Sequence, residues 1–182
     1  MTFGGGTIDF DSAIIIPIDL KIFPEDQIRS RVRGQWSFMP SKIALFLTRK
    51  QRRKNILTGR ELKNQLEGQT VMGVQLLEYL MGLYKDSKNH IPKIWFGKTI
   101  FFWGTIYQSW RGEEELYVQY LYFDTERDGC IRGYRYLGDN FDENSFAIIS
   151  VPPKYVKLPE EDSKEETESD DQIIDDDGLD FL

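Results

Sequence analysis

KTIFFWGTIYQ (residues 98–108), LYVQYLYF (116–123), CIRGYRYL (130–137) and SFAIISV (145–151) are four runs rich in β-branched and aromatic residues. WRGEEE, DTERDG and GDNFDEN, all rich in turn-forming and charged residues, separate them. Such side chains suit the pleated surface of a sheet, and short polar connections join neighbouring strands as hairpins. The pattern predicts an antiparallel meander of about four strands over residues 98–151. Alternation on 116–123 sends Tyr117 and Gln119 to one face and Val118 and Tyr120 to the other. If one face is solvated, as antiparallel sheets permit, several rings stand in water.

Upstream of the meander the periodicity becomes helical. Thr58 and Glu61 have the spacing of a capping box, in which each side chain satisfies a free backbone N–H at a helix start. A short helix is expected from about Gly59 to Glu67, ended by Gly68 in the left-handed conformation. Thr70 is then placed to cap a second helix. In it Gln75, Glu78, Gly82 and Lys85 form one polar stripe, and Met72, Val74, Leu76, Leu77, Leu80, Met81 and Leu83 cover the rest. Pro92 ends this region. Toward the N-terminus, AIIIPIDLKIF (13–23) reads as an edge strand interrupted by Pro17, and KIALFL (42–47) as another strand.

The expectation is α+β: an antiparallel β-meander with two helices packed on one face, forming a single domain over residues 13–158. A glycine-rich flexible arm (1–12) precedes it and a disordered acidic tail (159–182) follows. The last 23 residues, EEDSKEETESDDQIIDDDGLDFL, carry 12 carboxylates and one lysine, a net charge of −11. The whole chain is at −7, so the 159 residues before them are at +4. A polyanion joined to a basic body points to binding rather than catalysis. The longest apolar run near the N-terminus stops at Pro17, which leaves neither a secretory core nor a membrane span; no membrane partner and a cytoplasmic location are expected. Cys130 alone cannot form an intramolecular disulfide, and with His90 as the sole histidine a structural zinc site is not expected.

The positive charge concentrates in RKQRRKNILTGRELK (49–63), where Arg49, Lys50, Arg52, Arg53, Lys54 and Arg60 surround a helix start. Arginine forks and lysine heads at this density suit phosphates; the alternatives are a solvated loop or a dock for the acidic tail. Trp110, Tyr117 and Tyr134 are candidate stacking rings, with Arg132 and Arg135 beside them, in the manner of single-strand binding surfaces; the alternative is cross-strand pairing within the sheet. The two helices at 59–85 are not a helix-turn-helix, because the second lacks a basic reading face. Asp139, Asp142 and Glu143 offer oxygen ligands without the spacing of a calcium loop. No catalytic residue, metal or cofactor is expected.

Within the tail, Ile173, Ile174, Leu179, Phe181 and Leu182 sit among aspartates, a pattern suited to a linear motif whose anions steer association and whose apolar groups fill a pocket. The ending DDDGLDFL resembles the acidic C-terminal tips of bacterial and phage single-stranded DNA-binding proteins. That resemblance implies that Asp175, Asp176, Asp177, Asp180, Phe181 and Leu182 bind a partner protein and that the tip competes with DNA for the body. The usual proline before a terminal phenylalanine is absent, and the body does not match that family's barrel. Residues 61–137, especially IPKIWFGKTIFFWGTIYQ, resemble a group of small bacterial proteins of unassigned function. GGGTIDF (4–10) resembles a phosphate-binding turn of actin-like ATPases, but the chain is too short to build their two lobes. The expected function is non-enzymatic binding of single-stranded nucleic acid, with the tail recruiting a protein partner or competing with nucleic acid. The alternatives are a protein-interaction adaptor and a metal-dependent hydrolase.

Overall fold

The computed structural model describes residues 6–24, 31–86, 88–124, 126 and 129–151. The acidic tail, with the partner-binding residues expected on it, and residues 1–5 lie outside the described residues. The chain is α+β. Its main sheet has the strand order β4-β11-β7-β8-β9, formed by Ile43–Phe46 (β4), Thr99–Ser109 (β7), Leu116–Asp124 (β8), Gly129–Tyr136 (β9) and Ser145–Ser150 (β11). Two short strands, Leu20–Ile22 (β2) and Thr70–Val71 (β6), pair with β7 and β11 respectively. Thr7–Asp9 (β1) pairs with Gln35–Ser37 (β3), and Leu57–Thr58 (β5) with Asn140–Phe141 (β10). The helices are Arg49–Arg52 (α1), Gly59–Gln65 (α2) and Val74–Asp86 (α3).

Three of the four expected strands form the meander β7-β8-β9. The fourth does not continue it: β11 returns to the far side of β7 and runs parallel to it, with Ser145 opposite Thr99 and Ala147 opposite Phe101. The connection from β9 carries β10 out to β5, so the chain crosses back over the sheet rather than turning beside β9. Of the expected N-terminal edge strand only β2 forms, and part of the expected arm, β1, is ordered into a sheet, with Ile8 and Phe10 buried behind it.

The helices do not share a face. Ile100, Phe102, Leu121 and Phe123 point into the cluster that α3 covers with Leu76, Leu77 and Leu80. Phe101, Trp103, Val118 and Ile149 point the other way, into the cluster containing Leu62 and Leu66 of the α2 region. The cause lies in Thr70. Instead of capping α3 it belongs to β6, which pairs with β11 and carries the chain through the sheet between the two helices. The cap comes from β7, whose Thr105 hydroxyl accepts from the Val74 N–H at 3.2 Å. A register shift between Phe101 and Ile106 opens β7 at this point, and Ile106 returns to the face of Phe101 and Trp103.

The start of α2 is as its sequence predicts. Thr58 accepts from the Glu61 N–H, and the Glu61 carboxylate accepts from the Thr58 N–H at 2.8 Å. Gly68 follows with φ 84°. The Thr58 N–H, and then the Thr58 hydroxyl, hold the Glu61 carboxyl below the ordinary carboxylate range against partial desolvation, with Lys50 adding a smaller pull. Stability from ionised Glu61 is therefore present above that range and lost as pH falls through the depressed value. Thr58→Ala is expected to cost about 1 kcal/mol in urea unfolding at neutral pH. The stability difference between the natural chain and Glu61→Gln should shrink as pH falls below the ordinary carboxylate range; a difference independent of pH would contradict this assignment.

Candidate nucleic-acid interface

The cationic cluster sits on a turn that the sequence itself builds. Thr48 and Gln51 form a second capping box, T-x-x-Q, closing the single helical turn α1. A turn of arginines and lysines repels itself, so something else must hold it. That group is Gln51, whose side chain is buried while Arg49, Lys50, Arg52, Arg53 and Lys54 are exposed. Gln51 Nε2 donates to the Asp142 and Ser145 carbonyls at 2.9 and 3.0 Å, and Oε1 accepts from the Thr48 N–H at 3.1 Å. The turn is thereby fixed to the β10–β11 loop with its cations outward. Lys54 ends it in the left-handed region, with φ 62°, and Ile56 stands exposed just beyond. The Arg52 guanidinium donates to the Leu47 carbonyl at 3.1 Å.

Arg60, at the start of α2, donates to the Glu114 carbonyl at 2.9 Å and lies 3.8 Å from its carboxylate. This joins α2 to the β7–β8 hairpin that carries Trp110. The indole is 65% exposed yet oriented: its N–H donates to the Leu20 carbonyl at 3.1 Å, and the Lys21 ammonium lies 5.0 Å from the ring centroid. Arg60 follows the α1 cations along the chain, and its bond to Glu114 ties the start of α2 to the hairpin of Trp110.

The remaining predicted residues are elsewhere. Arg132, Tyr117 and Tyr134 stand on the α3 face, since they lie opposite Leu121, Tyr136 and Gln119 in the β8–β9 ladder. Arg132 pairs with Glu78 of α3 at 2.7 Å. Tyr134 meets Tyr107 edge to face at 5.3 Å, and Tyr117 lies 5.6 Å from Tyr136. These contacts match the cross-strand alternative. The Tyr107 hydroxyl donates to Gln119 Oε1, and burial raises its pKa far above the ordinary tyrosine value. Arg135 is on the opposite face, stacked over Phe101, Tyr120 and Phe141 and bonded to Ser145 Oγ. The single strand that carries Arg132 and Arg135 therefore divides them between two surfaces.

The other motifs are largely taken up by structure. Asp142 accepts within its own turn from the Asn144 N–H and the Ser145 hydroxyl. Among the described residues no three His, Cys, Asp or Glu side chains are grouped to hold a metal ion. Burial pushes the Cys130 thiol up to about 11, which keeps it protonated at neutral pH. His90 is exposed in a short 3₁₀ turn. Gly6, from the GGGT motif, donates its N–H to the Tyr79 hydroxyl, and the Tyr79 ring occupies the space beside it. A cavity of about 350 Å³ lies between β1, residues 12–15 and α3. On its wall Gln75 donates to the Phe10 and Ser12 carbonyls, Asp9 accepts from the Asp11 N–H, and Glu78 holds Arg132.

Gln51 and Lys21 are the residues the sequence reading missed. The T-x-x-Q spacing signals Gln51 as a cap, but its bonds to residues 142 and 145 are long-range, as is the approach of Lys21 to Trp110. No helix among the described residues is long and apolar enough to cross a membrane. Comparison with known proteins gives no match to a family model, to a curated protein or to a solved structure.

Proposed function

We propose that this is a non-enzymatic nucleic-acid-binding protein that favours single strands. The phosphates would lie along Arg49, Lys50, Arg52, Arg53, Lys54 and Arg60, with Trp110 as the stacking platform. The observation that supports this most is the exposed cationic turn anchored by a buried glutamine, since side chains held outward on a fixed backbone lose less entropy on meeting an anion. Lys21 lies beside the Trp110 ring, and the exposed part of the indole would stack on a base. The acidic tail would recruit a partner protein or compete with nucleic acid for the turn. A second reading, an interaction adaptor whose cationic turn docks its own tail, is favoured by Ile56, an exposed apolar group among cations that complements a tail of apolar residues among aspartates.

Fluorescence anisotropy of a labelled single-stranded DNA, with the full chain and a 1–158 truncation at several salt concentrations, separates the two. About five neutralised phosphates on a single strand give a slope of log affinity against log salt near −3.5. Arg49→Glu, Arg52→Glu and Arg53→Glu together should lower affinity and flatten that slope by about 2. Trp110→Ala should weaken binding by about tenfold and leave the slope unchanged. Absence of salt-sensitive binding by both forms would overturn the nucleic-acid reading and favour the adaptor.

A further inference from the structure

The cavity of about 350 Å³ between β1, residues 12–15 and α3 is held open by its own walls. Gln75 of α3 bonds the Phe10 and Ser12 carbonyls, and the Tyr79 hydroxyl accepts from the Gly6 N–H, so the chain is pinned to the helix both before and after β1. Ile8, Ala13, Ile14 and Ile15 make the wall apolar. Ile15 lines the cavity and yet is 87% exposed, so its side chain stands in water at the mouth. An occupant with an apolar body covers it. Two carboxylates share the wall. Glu78 is balanced by the Arg132 guanidinium at 2.7 Å, and Asp11, next to the cavity, is met by Arg31 at 3.8 Å. Asp9 accepts from the Asp11 N–H and has no cationic partner among the described residues. The cavity thus keeps one uncompensated negative charge beside an apolar wall.

We infer that this cavity binds a small amphipathic organic cation, a primary ammonium group carried on an apolar chain or ring. The ammonium meets the Asp9 carboxylate, and the apolar part lies along Ile8, Ile14 and Ile15. Sign selects the ligand. Nucleic acid and the polyanionic tail both bring like charge to Asp9, so the site is separate from the cationic turn and from the function proposed for it. Size selects it too, because a cavity at the small end of the ligand-binding range suits a molecule of about ten heavy atoms rather than a folded partner. Asp9 is exposed, so its charge confers discrimination between ligands more than strength, and binding is expected at about millimolar concentration.

Amide chemical shifts of the isotopically labelled full chain, titrated at about 0.15 M salt with 4-phenylbutylamine, 4-phenylbutanol and 4-phenylbutyrate, test this. The three probes share one apolar body and differ in charge. The expected result is saturable shifts over residues 7–15 and 75–79 with the amine, about fivefold weaker binding of the alcohol, and weaker binding still of the carboxylate. Asp9→Asn should bring the amine down to the alcohol while leaving the alcohol unchanged, which also shows that the variant is folded. Ile15→Ser, at a position already in water, should weaken amine and alcohol alike by about threefold. Absence of saturable shifts with the amine overturns the inference, as do shifts confined to residues 160–182, where the acidic tail gathers amines by charge alone. Equal affinity for the three probes, or an amine indifferent to Asp9→Asn or to Ile15→Ser, overturns it as well.

Discussion

Replacing Gln51 by leucine is expected to lower the unfolding free energy by about 3–5 kcal/mol, among the largest effects of any polar substitution in this chain. Leucine is similar in volume, so the loss is one of hydrogen bonding rather than of packing. The natural side chain is fully buried and serves the Asp142 and Ser145 carbonyls and the Thr48 N–H together. Without it these groups remain buried with fewer partners, each at a cost of about 1–3 kcal/mol. Urea unfolding followed by circular dichroism measures the change, and the melting temperature should fall by roughly 10 °C. A loss below about 1 kcal/mol would show that water replaces the amide and that the turn is not anchored through it. Where the variant is kept folded at low temperature, amide exchange across residues 48–55 should accelerate more than across β7, because the cationic turn has lost its tether. Nucleic-acid affinity should then fall although no cation has been removed.

Gly104→Ala is expected to cost about 3 kcal/mol or more, for a steric reason. Gly104 lies where β7 opens to admit β6, and its N–H donates to the Met72 carbonyl at 2.9 Å. A Cβ there would lie 2.7 Å from both the Met72 carbonyl carbon and the Gly73 nitrogen, which are main-chain atoms unable to rotate away. Relief requires β7 and residues 72–73 to separate, which would also pull Thr105 from the Val74 N–H that it caps. Gly82→Ala is the control. Gly82 is exposed on α3 with open space beside it, so the same added methyl should stabilise the helix by about 0.5–1 kcal/mol. Opposite signs in thermal or urea unfolding would show that close backbone approach, and not glycine chemistry as such, governs position 104. Equal effects at the two positions would refute the tight contact between β7 and β6.

Local chemistry explains what was readable in advance. The Thr58–Glu61 box, the left-handed Gly68 and the polar stripe of α3 depend on residues within a few positions of one another, so spacing alone reveals them. The same holds for the strands β7, β8 and β9, whose hairpin loops join neighbours directly. Thr70 marks where that reading stops. Its sequence suits a helix cap equally well, but pairing of Val71 with Ile149 draws the segment into the sheet, a contact across 78 positions. The cationic turn was legible as charge, whereas its rigidity depends on Gln51 reaching Asp142 and Ser145.

The α+β class, the three hairpin-linked strands, the helix with its capping box, and the separation of a basic body from an acidic tail are readable from residue order, because propensity, periodicity and charge are properties of neighbouring residues. Long-range packing sets β11 parallel to β7, places α2 and α3 on opposite faces, and divides Arg132 and Arg135 between those faces. It also decides that the Arg49–Lys54 turn stands outward from a buried anchor while Ile15, Ile16 and Ile18 are left in water. These outcomes depend on which distant segments compete for one edge of β7, a choice made by total burial and backbone hydrogen bonding rather than by any stretch of sequence alone.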